Sequence, residues 1–446
     1  MYKLRYNVLA LIQAGINFSN VILLIKFFGT SVEADVFLLS LSIISSLGLI
    51  QLLFVEQFLY FYNDLKIKDQ KNAEWFFHSS FVFALIVGVV FWLTTLFLSP
   101  IVIKAFAFSL DEQRFNTAIK IFSIASFSLA FIGVNHIFRG KLNAEGYFSM
   151  PYVSSSVPYF FVLLALVWCF LSGRVNIMIV VYALAIGSVF QFILNIVVLK
   201  ILGFSIQLRI GHPLMKNFIK NSISMRLGHN VHNFFFPLIV NNILSSFPVG
   251  SVSSFYYAQK IVNAIASIAI GPSQNVLSAK ISELWSRAKV QGIKLQVKQF
   301  LKLTPAIYVL ISFVVFLVIP FILQIISSHN LSKSTIQLIQ TLFILLALWQ
   351  LIIIIESPFA AVGISSKNSK LFTIVNSIFI VLFFLMVIVF KRYVEIFSLP
   401  IAAFFAQTVS FSIYTLYALM LLNVERFRIL YKPFALFNRG KANATS

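Results

Sequence analysis

Ionisable side chains inside apolar runs are where this sequence could do chemistry, and Asp35, Glu56, Arg226 and Lys260 are the ones that stand out. Lys260 is the most isolated. The stretch that opens at Gly250 has no charge before it, and none follows as far as Asn275. Counted from Ser251, Lys260 lies about 14 Å along a helix, near the middle of a bilayer. A lone ammonium there costs at least ~2.5–3.5 kcal/mol, so it must face protein or a wet cavity. Two roles fit it: an ion pair with a carboxylate on a neighbouring helix, or a contact to an anionic ligand.

Amides accompany these charges. Gln259 and Asn263 flank Lys260, and Gln51 and Gln57 flank Glu56. Gln13, Asn17 and Asn20 recur every three or four residues and so share one helix face. Arg226, His229, Asn230, His232, Asn233, Asn241 and Asn242 crowd the seventh apolar run. A single intramembrane amide is explained by helix–helix hydrogen bonding worth ~0.6 kcal/mol. A bias toward the first two runs of each half fits a polar cavity between halves better. The candidate ligand contacts are Lys260, Arg226, Asn17, Asn20, Gln51, Gln259 and Asn263. Asp35, Glu56 and Arg226 are candidates for a gate or for ion coupling. Glu56 and Arg226 each lie about one and a half turns from the same end of their runs, which predicts an ion pair across the halves. Asp35 sits at the opposite end, where it either caps a helix or faces solvent. Glu356 closes its run before Pro358 and is expected at the membrane interface.

Other chemistry finds no support. His229 and His232 are spaced i, i+3, but a zinc site wants further ligands, so no metal is expected. The single Cys169 excludes an intrachain disulfide and a multi-cysteine metal site. There is no Walker pattern for direct use of ATP, and no cofactor is expected.

The elements that position these residues follow from composition. The 446 residues are 60% hydrophobic and 11% charged, with mean hydropathy +0.94. Soluble domains are about 45–50% apolar and 25% charged. Twelve apolar runs long enough to span a bilayer cover 6–28, 34–62, 76–99, 116–138, 151–172, 176–200, 220–246, 251–275, 300–327, 334–356, 371–390 and 398–422. The expected fold is an all-α integral membrane protein of about twelve transmembrane helices. Of its 34 Lys and Arg, 24 fall in one set of loops and the C-terminal tail and seven in the opposite set. The basic set marks the cytoplasm, so both termini are expected there. This placement also explains the net charge of +21 without nucleic acid. Basic inner segments, with Lys280–Gln299 and the tail read as amphipathic surface helices, would meet anionic inner-leaflet lipids. The outer loops are too short to house a catalytic domain, so no enzyme is expected.

The chain also looks duplicated. Phe28-Gly29-Thr30-Ser31-Val32 corresponds to Gly250-Ser251-Val252, and Ala144-Glu145-Gly146 to Ala361-Val362-Gly363. An even number of runs separates the copies, giving a parallel repeat of two six-helix lobes about an axis along the membrane normal. The expected division is 1–200 and 220–422 for the lobes, 201–219 for a cytoplasmic linker and 423–446 for a basic tail.

Two stretches carry a family resemblance. Gly250-Ser251-Val252-Ser253 with Tyr256-Tyr257-Ala258 and Lys260 resembles the eighth helix of MurJ/MviN-type lipid II flippases. Phe27-Phe28-Gly29 with Ala34-Asp35-Val36-Phe37 resembles their first-to-second helix region. Those proteins belong to the multidrug/oligosaccharidyl-lipid/polysaccharide (MOP) exporter superfamily, with the Wzx-type O-antigen and capsule flippases, whose twelve spans this chain would share. The resemblance implies a monomeric flippase of the bacterial inner membrane, moving an anionic polyprenyl-diphosphate-linked sugar or peptidoglycan precursor by alternating access. Envelope-assembly enzymes would be its partners, and a coupling ion or the membrane potential its drive. Lys260 matches the basic position of the eighth helix and Asp35 the acidic position of the second. Where the family carries arginines in its first two helices, Asn20 and Ser45-Ser46-Leu47-Gly48 stand here. A cation-coupled drug antiporter of the same superfamily would favour buried carboxylates instead, and a non-transporting envelope scaffold would need no polar lobe faces.

The charge split predicts topology. Single cysteines replacing Lys68, Arg209 or Lys289 should react with an impermeant maleimide only from the cytoplasm, and those replacing Arg174 or Lys333 only from outside. Labelling of positions 289 and 333 from the same side would refute twelve spans.

Overall fold

The computed structural model describes residues 2–422 except 56, 148, 288, 327–330 and 367–368. Side chains are described for the same residues apart from 2–8, 10, 224–231, 271–273, 275, 276, 279, 286, 326 and 369. The elements are helices throughout: α1 (Tyr2–Phe28), α2 (Val32–Leu52), α3 (Phe58–Lys68), α4 (Gln70–Phe97), α5 (Ser99–Phe106), α6 (Glu112–Ala125) and α7 (Leu129–Ala144) come first. Then follow α8 (Met150–Ser172), α9 (Ile177–Ile201), α10 (Met215–Leu244), α11 (Ser251–Ser286), α12 (Val290–Ile326), α13 (Lys333–Ser365), α14 (Ser369–Val394) and α15 (Ser398–Leu422). Among the described residues, nine segments are long and apolar enough to cross a membrane, and the last, Lys370–Leu422, holds both α14 and α15. The polar helices α10 and α11 are not among them.

Local chemistry sets the helix starts. Ser31, Asp69, Asp111, Asn176 and Ser332 each accept an amide of the first turn that the helix itself leaves unpaired. Packing then sorts the helices. α4 lies on α7 and α8 on α9, while α11, α13 and α15 pack side by side with α12 and α14 outside them. α1 and α2 bridge these groups, α1 lying between α8 and α11, and α2 against α6 and α10.

Several elements depart from the sequence expectations. The second run is divided between α2 and α3, and the fourth between α6 and α7. Lys280–Gln299 is not a separate surface helix. Its first part ends α11 and its second begins α12, because Ile281 and Ile293 are fully buried and Leu284 packs onto Gly292. The tail lies outside the described residues. Gly146 ends α7 with φ 84, whereas Gly363 lies inside α13, so that pair does not share a turn. Glu356 is not at a helix end either; α13 continues to Ser365 and buries it.

The segment 201–219 is packed rather than loose. Leu202, Phe204, Ile206 and Leu214 join a core with Phe58, Phe76, Phe77 and Phe138. His212 Nε2 bonds Asn72 Oδ1 at 2.9 Å, and the Arg209 guanidinium lies 4.5 Å from the Trp75 ring centre. Lys141, expected in an open basic loop, is fully buried beneath it. Its ammonium contacts Glu74, Glu145 and the Tyr62 hydroxyl, and faces the Phe204 ring at 4.4 Å. Lys66 completes the cluster at 2.7 Å from Glu145. Burial pushes the Glu145 carboxyl up, but hydrogen bonds from Lys66 and Tyr62 and the Lys141 charge more than offset it and hold it below the usual carboxylate range.

The cluster predicts a stability effect. Lys141→Met leaves Glu74 without its cation and Glu145 with Lys66 alone, and should cost about 3–5 kcal/mol. Lys68→Met, on an exposed pair, should stay within ~0.5 kcal/mol. Because the folded Glu145 carboxyl is depressed, its share of stability is present at neutral pH and should disappear as pH falls through that depressed range. Equal unfolding midpoints for both variants in detergent would show that the cluster contributes nothing.

Candidate functional site

The site begins where α11 begins. Gly250 holds φ at 92, a conformation only glycine takes without strain, and it offers no side chain to cap the helix. Any Cβ there would meet Thr30 at 3.0 Å. The acceptor comes instead from α2. Asp35 Oδ2 accepts from the Gly250 amide and Oδ1 from the Ser253 amide, both at 2.7 Å. Asp35 is 1% exposed and so caps a helix of the other half of the chain, not its own and not toward solvent.

More bonds join the halves around it. The Tyr257 hydroxyl donates to Gly29 O at 2.8 Å. Arg114, held by Asp111, donates from Nη1 to Phe247 O at 3.1 Å. The Arg114 backbone amide, which Asp111 accepts as helix cap, holds the Asp111 carboxyl below its ordinary range. Asn242 donates to Ala105 O at 2.8 Å and accepts from the Phe108 amide at 3.0 Å. One layer deeper, Tyr256 donates to Ser42 Oγ at 2.7 Å and contacts Asn241 Oδ1, while Asn241 Nδ2 donates to Ser42 Oγ at 3.1 Å. This latch closes one end of the molecule.

Below the latch lies a cavity of about 290 Å³ between α1, α2, α8, α9 and α11. Lys260, Asn263 and Ser267 line it from α11, and Gln13, Asn17 and Asn20 from α1. Lys260 is half-buried, and among the described residues nothing forms an ion pair or hydrogen bond with its ammonium. Asn20 is buried; its Nδ2 donates to Tyr159 O at 2.9 Å, but its Oδ1 has no partner among the described residues. Exposure rises away from the latch, from buried Asn20 to half-buried Asn17 and Lys260 to exposed Asn263 and Ser267. The cavity is thus deep at the latched end and opens away from it. Among the described residues it presents the Lys260 ammonium, amide groups and the free Asn20 Oδ1, a set suited to an anion bearing hydroxyls.

Of the residues expected in the site, Lys260, Asn17, Asn20 and Asn263 meet here. Gln259 is half-buried beside Lys260 but does not line the cavity. Gln51 lies apart, donating to Leu129 O at 2.8 Å and accepting from the Gly133 amide at 3.3 Å, which ties α2 to α7. Glu56 and the Arg226 side chain lie outside the described residues. Their neighbours do approach, with the Gln57 amide donating to Ser222 Oγ at 3.2 Å. Sequence reasoning missed the Tyr256–Ser42–Asn241 layer. Its one signal was the pair Asn241-Asn242 at the end of an otherwise apolar helix.

Comparison with known proteins places this arrangement. The sequence model of the family described as lipid II flippase MurJ matches residues 24–432. The structure is similar to a lipid II flippase MurJ in an inward closed conformation, with TM-score 0.74 and 17% identity over 95% of this chain and 93% of that one. It is also similar to an inward-facing multidrug resistance MATE family transporter of the MOP superfamily, at TM-score 0.71 and 13% identity over 92% and 95%. A MOP superfamily transporter from Pyrococcus furiosus gives TM-score 0.62 and 14% identity over 94% and 95%. At such identities the likeness is one of fold. No curated protein matches the sequence.

The latch geometry predicts what Asp35 does. Losing a charge-assisted hydrogen bond costs about 1.5–3 kcal/mol, so Asp35→Ala should shift opening of the latched end by roughly 10–150-fold. Ser254 is fully buried just behind the latch and serves as reporter. In a protein whose buried Cys169 is replaced by alanine, Ser254→Cys should react with an impermeant maleimide at least about 10-fold faster when Asp35→Ala is added. Exposed Glu33→Ala should not change it, and equal rates in all three would remove Asp35 from the latch.

Proposed function

The chain belongs to the MurJ lipid II flippase family, and on that premise we propose that it carries a polyprenyl-diphosphate-linked saccharide across the bacterial inner membrane. Membership makes it a multi-pass membrane flippase for a lipid-linked precursor. The finer assignment, an oligosaccharide or peptidoglycan precursor carried by alternating access around a cationic cavity, rests on the site.

The observation that carries the assignment is the Lys260 ammonium, without an ion-pair partner among the described residues, in a polar cavity shut at one end. The physical problem of flipping is a charged, hydroxyl-rich head group that must leave water while its lipid tail stays in the bilayer. Lys260 offsets the desolvation of a diphosphate. Asn17, Asn263 and the unpaired Asn20 Oδ1 meet sugar hydroxyls. The positive-inside distribution of Lys and Arg puts the latch on the outer face and the open side of the cavity toward the cytoplasm, with twelve crossings and both termini inside. The head group enters from the cytoplasm, the latch parts, and the two lobes rock to expose the cavity outward. No bond in the substrate is made or broken, so no catalytic residue is assigned. A cationic drug would meet an ammonium in this cavity, which disfavours the antiporter reading.

Lys260→Gln should fold normally and lose most transport, since one charge-assisted hydrogen bond is worth about 1.5–3 kcal/mol, or roughly 10–150-fold in affinity. Lys260→Arg should retain much of it. Expression, thermal stability and flipping are to be measured together in proteoliposomes holding lipid II or a lipid-linked oligosaccharide, which also ranks the two substrates. Normal flipping by Lys260→Gln would end the assignment. A failure to accumulate would mean that Lys260 neutralises a buried carboxylate instead.

A further inference from the structure

A second buried ionisable group lies in the C-terminal helices, apart from the cavity. Glu356 of α13 is 9% exposed. Its Oε2 accepts from Gln407 Nε2 of α15 at 2.6 Å, and Gln407 Oε1 accepts from the Trp349 indole at 3.3 Å. An indole N–H can only donate. Trp349 therefore fixes the Gln407 amide with its oxygen toward the indole and its NH2 toward the carboxyl. Gln407 lies nine residues beyond the start of α15, about 14 Å along it, so this carboxyl sits deep in the apolar layer.

Among the described residues, nothing nearby balances a negative charge. Among the described residues no lysine, arginine or histidine forms an ion pair with Glu356. From α15, Tyr414 lies within electrostatic range of the carboxyl. From α12, Tyr308 donates its hydroxyl to Ala347 O at 3.2 Å. From α11, Lys260 lines the cavity. From α10, His232 stacks on Phe236, whose ring lies 5.2 Å from Trp349. An uncompensated carboxylate so deep costs several kcal/mol. A metal cation would need several converging oxygens. Here an NH2 group points at the carboxyl, the amide oxygen is taken by Trp349, and no metal-ligating cluster occurs among the described residues. A proton needs only the second carboxyl oxygen.

We propose that Glu356 is a proton-binding site. Its carboxyl is protonated while α13 and α15 enclose it, and it yields the proton to water when these helices move apart, leaving a carboxylate that Gln407 and water solvate. The neighbouring backbone gives this charge change leverage. Pro358 supplies no amide to the Ile354 carbonyl, which accepts from the Ser357 hydroxyl at 2.9 Å instead. The α13 hydrogen-bond ladder thus lacks a rung across the turn that holds the acid, where a helix bends readily.

Infrared spectra of the full chain in nanodiscs, with no substrate present, test this without relying on transport. At neutral pH the wild type should show the carbonyl stretch of a protonated carboxylic acid, absent from Glu356→Gln, a near-isosteric neutral variant. Raising the pH should abolish that band reversibly in the wild type. Superimposable spectra of the two proteins across the pH range would overturn the proposal. A band that responds to sodium at fixed pH, but not to pH, would overturn it in favour of a metal cation. Should Glu356→Gln fail to fold, the pH titration of the wild-type band still decides, its absence being the overturning result. Lys260→Gln should keep the band in full while losing transport, so failure here and failure of the substrate assignment are separate results.

Discussion

Two backbone amides at the start of α11 and one carboxylate on α2 determine how the halves of this molecule meet. A helix start leaves amides without acceptors, and its dipole adds positive potential there. Gly250 cannot answer that need, so Asp35 does. In a low-dielectric setting a satisfied carboxylate–amide contact is strong, while an unsatisfied one is costly in both partners. The latch is consequently close to all-or-none. The Tyr257, Arg114 and Asn242 contacts are neutral or singly charged bonds arranged around it. The cavity is a consequence of that attachment: α1 and α11 are held together at one end and expose their facing side chains progressively toward the other.

The buried charges of the chain form a consistent pattern. Lys141 is neutralised by Glu74 and Glu145. Asp35 accepts from two backbone amides, and Glu356 from a side-chain amide. Each acid near the core is thereby occupied without a mobile cation, and Lys260 is left as a cation without a fixed acid among the described residues. An intramembrane ammonium in that situation needs water or an incoming anion in the cavity it faces. In the proposed function the cargo would supply that counter-charge.

Periodicity and charge made the helices legible, since apolar runs of bilayer length have few other fates. The cavity was legible in part. Gln13, Asn17 and Asn20 share a helix face by simple spacing, and Lys260 has no local partner that could explain it. Contacts between segments far apart in sequence were not legible. Nothing local says that Asp35 caps a helix more than 200 residues later, that Gln51 ties α2 to α7, or that Lys141 lies beneath Phe204. The basic segment 280–299 carried a surface pattern because its apolar stripe is real. Its partner is the stripe of the adjoining helix rather than lipid, a choice that amphipathicity alone does not make.

The fastening of 201–219 bears on the path by which the halves can part. A slack tether would let the C-terminal helices translate, tilt or twist freely once the latch let go. Here the connection is bolted down as far as Phe218 and Ser222, through Phe61, Phe76 and Gln57. The first turns of α10 therefore belong mechanically to the N-terminal half, while its far end, at Asn241 and Asn242, belongs to the latch. In the rocking proposed above, α10 would act as a lever with its fulcrum at that fastened corner. The path left to the halves would then be an arc about it, the same from one turnover to the next.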